Sequence, residues 1–452
     1  MKLNVSKILL TFFLLVILAI SLFRTVNYAI IFSEQSIQMD FTAYYAAGKS
    51  LNSGLSPYVN HILTNWELWD GIASFKHSRF LYPPLVANLF QPLASVPYIN
   101  AKYIWNFFNL LCYIICFALL TFIFLRNDKS ERYKKFNKIL VSAILAFNFF
   151  PFLALLERGQ IDLVTLFFIL LGFSFFLKKN KNEFFSGVFF GIATLFKLYS
   201  FLLIPFFLVQ KKYKVIYGYL TGITVLVLLT IVFSGTKLSY EYLATEAPRI
   251  AKFGSSGTPE MQLPVWILQA YLPMTPTSIS IIDGRMYLTE SISFNSKASF
   301  IRLFEVTLPN LFSNSIYSFF VFAVFFLLFL YFKKKNKIGE FENKFIFWQM
   351  ILIVITLSSP YTWLMNLVWL MPLSFVIVGE LPGMIKEKKY AVAVILIAGF
   401  ILLAYPDNLL VTKNIKIIGE FFKSRFVISE FLLALSLFLI LKYKKNSEEI
   451  IP

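Results

Sequence analysis

Residues 8–32 read ILLTFFLLVILAISLFRTVNYAIIF, an apolar run that meets its first charge only at Arg24. About 20 such residues, wound as a helix, cross the hydrocarbon core of a bilayer. Lys2 and Lys7 precede the run as in a signal peptide. No small-residue cleavage pattern follows, so an uncleaved first span is expected. Working outward from this stretch, similar runs recur along the whole chain. Of its 452 residues 58% are hydrophobic and 15% charged, with a mean hydropathy of +0.71. A soluble protein needs roughly a quarter of its residues charged. The composition therefore predicts a single all-α polytopic membrane domain over 1–452.

The net charge of +18 has a particular distribution. Basic residues gather in short tracts between apolar runs: Arg126 to Lys138, Lys178 to Lys181, Lys211 to Lys214, Lys333 to Lys337, Lys386 to Lys389 and Lys442 to Lys445. Short basic loops mark the cytoplasmic side, and they attract anionic headgroups. No basic face interleaves with aromatics on a soluble module, which argues against a nucleic-acid partner. Cys112 and Cys116 share one apolar run and have no second cluster with which to hold a metal.

With those tracts inside, the expected spans are Ile8 to Phe32, Ala101 to Leu125, Ile139 to Leu156 and a fourth ending at Lys178. Further spans follow at Val215 to Phe233, Ile316 to Phe332, Phe345 to Leu357, Trp363 to Val378, Ala391 to Tyr405 and Phe426 to Leu441. That makes about ten full spans. Glu183 to Gln210 starts and ends beside basic tracts and is interrupted by Lys197 and Pro205. It reads as a pair of short broken helices, a backbone tolerated at membrane depth only inside protein or beside a polar cavity, or else as a single span with one end mis-signed. Asn408 to Arg425 falls outside by this count although it is basic, and reads as an interfacial helix or a miscounted crossing.

Two long outer loops remain, 33–100 and 234–314. Loops of that length are uncommon as mere connections, and ionisable groups are scarce within the spans, Lys197 being the clearest exception. Chemistry at the outer surface follows. In the first loop Phe41 to Leu51 has helical spacing, closed by Gly54, with Asp40 at its start. Position alone leaves Asp40 either a helix cap or a functional carboxylate. Arg79 precedes Tyr82-Pro83-Pro84-Leu85 and is either solvated or available to a phosphate.

The series Asp40…Tyr44-Tyr45…Gly54…Pro57-Tyr58, Tyr82-Pro83-Pro84-Leu85 and Pro92-Leu93-Ala94 resembles glycosyltransferase family 87. In order there follow Gly159-Gln160, Gly187 and Gly191 with Lys197-Leu198-Tyr199, Met261-Gln262 as a weak echo, and Ser359-Pro360-Tyr361-Thr362-Trp363. The resemblance implies a C-type glycosyltransferase fold and a polyprenyl-phosphate-sugar donor, most often mannose. It also implies a lipid-linked or envelope glycan acceptor and a general base at Asp40. It places the protein in the cell membrane with its site on the non-cytoplasmic face. Met365 and Asn366 stand where the family commonly has a His pair, and the chain's two histidines, His61 and His77, lie in the first loop.

Under this reading Lys197, then Arg79 and Arg249, are candidates for the leaving phosphate, and Gln160, Tyr82 and Asn366 for sugar hydroxyls. Glu241, Glu246 and Asp283 are reserve bases. No Asp-x-Asp or His/carboxylate cluster suits a divalent ion, so no cofactor or metal is expected. A lipid-linked-glycan flippase would instead line its spans with polar groups and often show repeated halves. An envelope polymerase or ligase would share the substrate class without the ordered motifs.

Overall fold

Aliphatic and aromatic runs make helices here because their backbone bonds close within the segment and their side chains face lipid or one another. The computed structural model describes residues 5–35, 38–59, 80–125, 130–177, 182–248, 279–282, 285–288, 314–334, 341–359, 362–405 and 425–443. The first half contains α1 (Val5–Glu34), α2 (Met39–Asn52), α3 (Pro84–Ala94), α4 (Tyr98–Leu125), α5 (Arg132–Phe147), α6 (Phe150–Arg158) and α7 (Asp162–Phe176). Next come α8 (Glu183–Phe196), a 3-10 helix (Leu198–Leu203), α9 (Ile204–Val209) and α10 (Tyr213–Glu241), which runs on through a π turn (Tyr242–Glu246). A two-stranded antiparallel hairpin, β1 (Ile279–Ile282) and β2 (Arg285–Leu288), pairs Ile279 with Leu288 and Ile282 with Arg285. The chain then forms α11 (Asn314–Lys334), α12 (Phe341–Ser358), a second 3-10 helix (Leu364–Leu370), α13 (Leu373–Lys386), α14 (Tyr390–Ala404) and α15 (Arg425–Tyr443).

The described residues do not form ten full spans. Among the described residues four helices are long and apolar enough to cross a membrane: α1, α4, α10 with its π turn, and α15. Counting the bent pairs, α5 with α6 at 47° and the second 3-10 helix with α13 at 50°, raises the number to at most six. Several of the other expected spans are short. α7 and α14 have 15 residues each, so each reaches about 22 Å against a core of about 30 Å. The apolar side chains of α7 mostly serve protein contacts, whereas α14 buries Leu396 and Leu403 and exposes Val394 and Ile401. Every residue of α12 from Phe345 to Ser358 is buried. A helix apolar on all sides is common to lipid-facing spans and buried core helices, so periodicity does not separate the two.

The bend between α5 and α6 is stabilised by polar groups from α1. The Phe147 carbonyl accepts from Arg24 Nη2 at 3.3 Å and from Thr25 Oγ1 at 3.4 Å, and Asn148 Nδ2 donates to Ser21 Oγ at 2.8 Å. These bonds satisfy backbone released at a helix break, which bare lipid would not.

α8 and α10 pack through small residues at fourfold spacing, Gly187 with Gly191 and Gly218 with Gly222. A Cβ on Gly187 would lie 1.9 Å from the Val215 carbonyl oxygen, and one on Gly218 would lie 1.9 Å from that of Phe184. Only glycine allows backbones this close. α8 ends at Lys197, whose φ of −144° and ψ of 103° leave the helical region.

The main core gathers side chains from α4 to α8 and from α12 to α15. A second, aromatic core forms around α2, α3 and the start of α4 and includes Phe41, Tyr44, Tyr58, Phe90, Tyr98 and Trp105. The candidate site lies where the two cores meet.

Candidate active site

Phe41 anchors the start of α2, stacking on Tyr98 at 6.1 Å and on Trp105 at 6.0 Å. Asp40, one residue earlier, is 5% exposed. The residue at the N-cap is Gln38, so Asp40 lies in the first turn and not at the cap. Its carboxylate accepts two hydrogen bonds from Arg158, Nε to Oδ2 at 2.6 Å and Nη2 to Oδ1 at 3.1 Å. A fork of this kind fixes both groups in one plane.

Arg158 ends α6 because Gly159 follows with φ of +68°, a left-handed cap that favours glycine. The turn is tight: a Cβ on Gly159 would stand 2.6 Å from Phe41 Cβ. Trp105 Nε1 donates to the Gly159 carbonyl at 2.7 Å. Gln160 then enters the site, where its Oε1 accepts from Tyr44 at 2.8 Å and from Tyr82 at 3.4 Å. The two tyrosine hydroxyls are 3.0 Å apart. Burial is the first cause that raises both phenols above their ordinary range, so they remain hydrogen-bond donors.

Two residues later Asp162 opens α7, fully buried. Its Oδ2 lies 3.2 Å from Lys197 Nζ and accepts from Asn366 Nδ2 at 2.9 Å. Lys197 Nζ also sits 5.6 Å from the centre of the Tyr82 ring. Asn366 Oδ1 accepts the Trp363 backbone N–H at 2.7 Å, so both ends of its amide are engaged inside the protein. Trp369 Nε1 donates to the Asp162 carbonyl at 3.3 Å and its ring meets Tyr199 at 5.0 Å.

The fold thus assembles Asp40, Tyr82, Gln160, Lys197 and Asn366 from five separate segments. Sequence reasoning missed Arg158 and Asp162. Both flank the Gly-Gln turn inside an otherwise apolar stretch, where any charge is costly and marks a candidate site. Glu241 accepts from Ser56 at 2.9 Å, and Glu246 is buried next to Tyr58 and Tyr242. Arg79, Arg249, Asp283, His61, His77, Met261-Gln262, Pro360-Tyr361 and positions 408–424 lie outside the described residues.

The model of glycosyltransferase family 87 matches residues 80–273. The match covers less than half of the chain, and over that stretch the chain is similar to glycosyltransferase family 87. No curated protein matches it. The matched stretch contains Tyr82, Arg158, Gln160, Asp162 and Lys197. Asp40 and Asn366 lie outside it and reach the same place through the fold.

Proposed function

We propose that this chain is a membrane glycosyltransferase that moves mannose from polyprenyl phosphate to a hydroxyl of a lipid-linked or envelope glycan at the non-cytoplasmic face. The observation that supports it best is the pairing of two carboxylates with two cations at one locus, Asp40 with Arg158 and Asp162 with Lys197. Inverting transfer needs a base for the incoming hydroxyl and positive charge for the departing phosphate, and the two pairs offer one of each.

In this reading the acceptor hydroxyl passes its proton to Asp40 while its oxygen bonds to C1 of the sugar. The bond from C1 to the phosphate oxygen breaks in the same step. The electron pair leaves with the phosphate, which Lys197 stabilises. Attack from the face opposite the phosphate turns a β-linked donor into an α-linked product. A positioned base of this kind contributes about 10²–10⁴ in rate, and preorganised charge at the leaving oxygen adds to it. Arg158 holds the carboxylate in one orientation. Gln160 and Tyr82 bond sugar hydroxyls. Asn366, 1% exposed and engaged at both ends, acts through Asp162 and not on the sugar. Arg79 and Arg249 remain further candidates for the phosphate.

The test supplies purified protein in lipid nanodiscs with polyprenyl-phosphate mannose, and separately with the glucose donor, plus a lipid extract as acceptor. Transfer of mannose in α linkage is expected. Preference for glucose would overturn the sugar assignment, and retention at C1 would overturn direct attack.

A further inference from the structure

An acidic residue in the first turn of a helix ordinarily serves that helix, through its cap or its dipole. Asp162 does not cap α7, since the N-cap is Ile161 and no side-chain cap bond forms. Its carboxylate turns to Lys197 at 3.2 Å and to Asn366 at 2.9 Å. The indole of Trp369 holds its backbone carbonyl. A fully buried carboxylate is tolerated only when paired and hydrogen-bonded, and here both conditions come from remote segments.

Lys197 is the member of this cluster that reaches outward. Its backbone is extended at the break after α8, and its side chain keeps 14% of its surface accessible while Asp162 keeps none. The ammonium lies across the Tyr82 ring. One side of the cation is therefore fixed by protein and the other is turned toward the locus shared with Tyr82, Tyr44 and Gln160.

We propose that Asp162, clamped by Asn366, is a positioning residue that sets Lys197 as the seat for the phosphate of a prenyl-phosphate ligand. The inference rests on the donor class given above and adds the residue that governs the seat. Two effects oppose each other when Asp162 loses its charge. Repulsion between carboxylate and phosphate disappears, which favours binding. The buried ammonium loses its counter-ion, and it then deprotonates or swings away. The second effect is larger, because an unpaired buried charge is costlier than a screened interaction across the site.

Binding of farnesyl phosphate to the purified full chain in nanodiscs, with farnesol as uncharged control, tests this by calorimetry. D162N should weaken farnesyl phosphate about tenfold and leave farnesol unchanged, the range of one charge-assisted hydrogen bond. K197M should weaken it at least as much, and D162N should add nothing in the K197M background, because the carboxylate acts through the lysine. N366A, which keeps the carboxylate, should give a loss of about threefold and serves if D162N fails to fold. Equal or tighter binding by D162N, or additive losses in the double variant, overturns the inference. If the wild type itself ignores farnesyl phosphate while binding farnesol, the donor class is wrong and the function fails first.

Discussion

Arg158 holds Asp40 by both carboxylate oxygens, at 2.6 and 3.1 Å, and so joins the last residue of α6 to the first turn of α2. The contact spans 118 positions in sequence. It brings a carboxylate from the first long loop to the turn that carries Gln160. Several consequences can be measured.

Arg158→Lys keeps the charge and loses the planar fork. Turnover should fall about 10–100-fold, the order expected for a misplaced catalytic group, with a small change in thermal stability. Arg158→Met leaves Asp40 without that partner and should cost about 2–3 kcal/mol. That is below the roughly 3–5 kcal/mol of breaking a fully buried pair, because 26% of the Arg158 side chain remains exposed and screened. Thermal unfolding in detergent checks both.

Tyr82 contributes a hydroxyl and a ring, and two substitutions separate them. Tyr82→Phe removes the bonds to Tyr44 and Gln160, worth about 1 kcal/mol, and should lower kcat/KM about fivefold. Tyr82→Leu also removes the ring beneath Lys197, a cation–π contact worth about another 1 kcal/mol. Equal losses in the two variants would show that the ring contributes nothing.

Alkaline stability follows from the buried phenols. Burial raises Tyr44, Tyr58 and Tyr82 above the ordinary tyrosine range. As pH rises past about 10 the unfolded chain loses these protons first. Their stabilising contribution is therefore fully present below that pH and declines above it. Tyr58→Phe should flatten the decline seen between pH 10 and pH 11 in unfolding scans, to an extent of about 1 kcal/mol or more.

The α8–α10 contact should tolerate no side chain. Gly187→Ala places a Cβ 1.9 Å from the Val215 carbonyl oxygen, and overpacking of this kind costs about 1–3 kcal/mol. Lys197 follows on the same helix, so transfer should fall along with the melting temperature. Gly383→Ala meets nothing within 4 Å and should leave both unchanged.

Much of this was legible before the structure. The apolar runs gave the membrane class, and helical spacing from Phe41 to Leu51 gave α2. The number of spans was not legible, because α7, α12 and α14 are as apolar as true spans, yet α7 and α14 are too short to cross a bilayer and α12 is buried by its neighbours. Asp40, Tyr82, Gln160 and Lys197 stood out through ordered motifs. Arg158 and Asp162 did not, because Arg158 fell in a short turn between two expected spans and Asp162 at the very start of the second, where a charge reads as the edge of a span. Their importance rests on distance in space, Asp40 and Lys197 being far away in sequence. Asn366 was visible as a departure from the family pattern, yet its amide is used inside the protein to hold Asp162.

The most direct test of the account concerns Asp40 itself. Transfer from polyprenyl-phosphate mannose to a lipid acceptor should be compared for wild type and Asp40→Asn under saturating donor. The account predicts a fall of about 10²–10⁴ in turnover, with the affinity for farnesyl phosphate retained within threefold. Wild-type turnover by Asp40→Asn would contradict it.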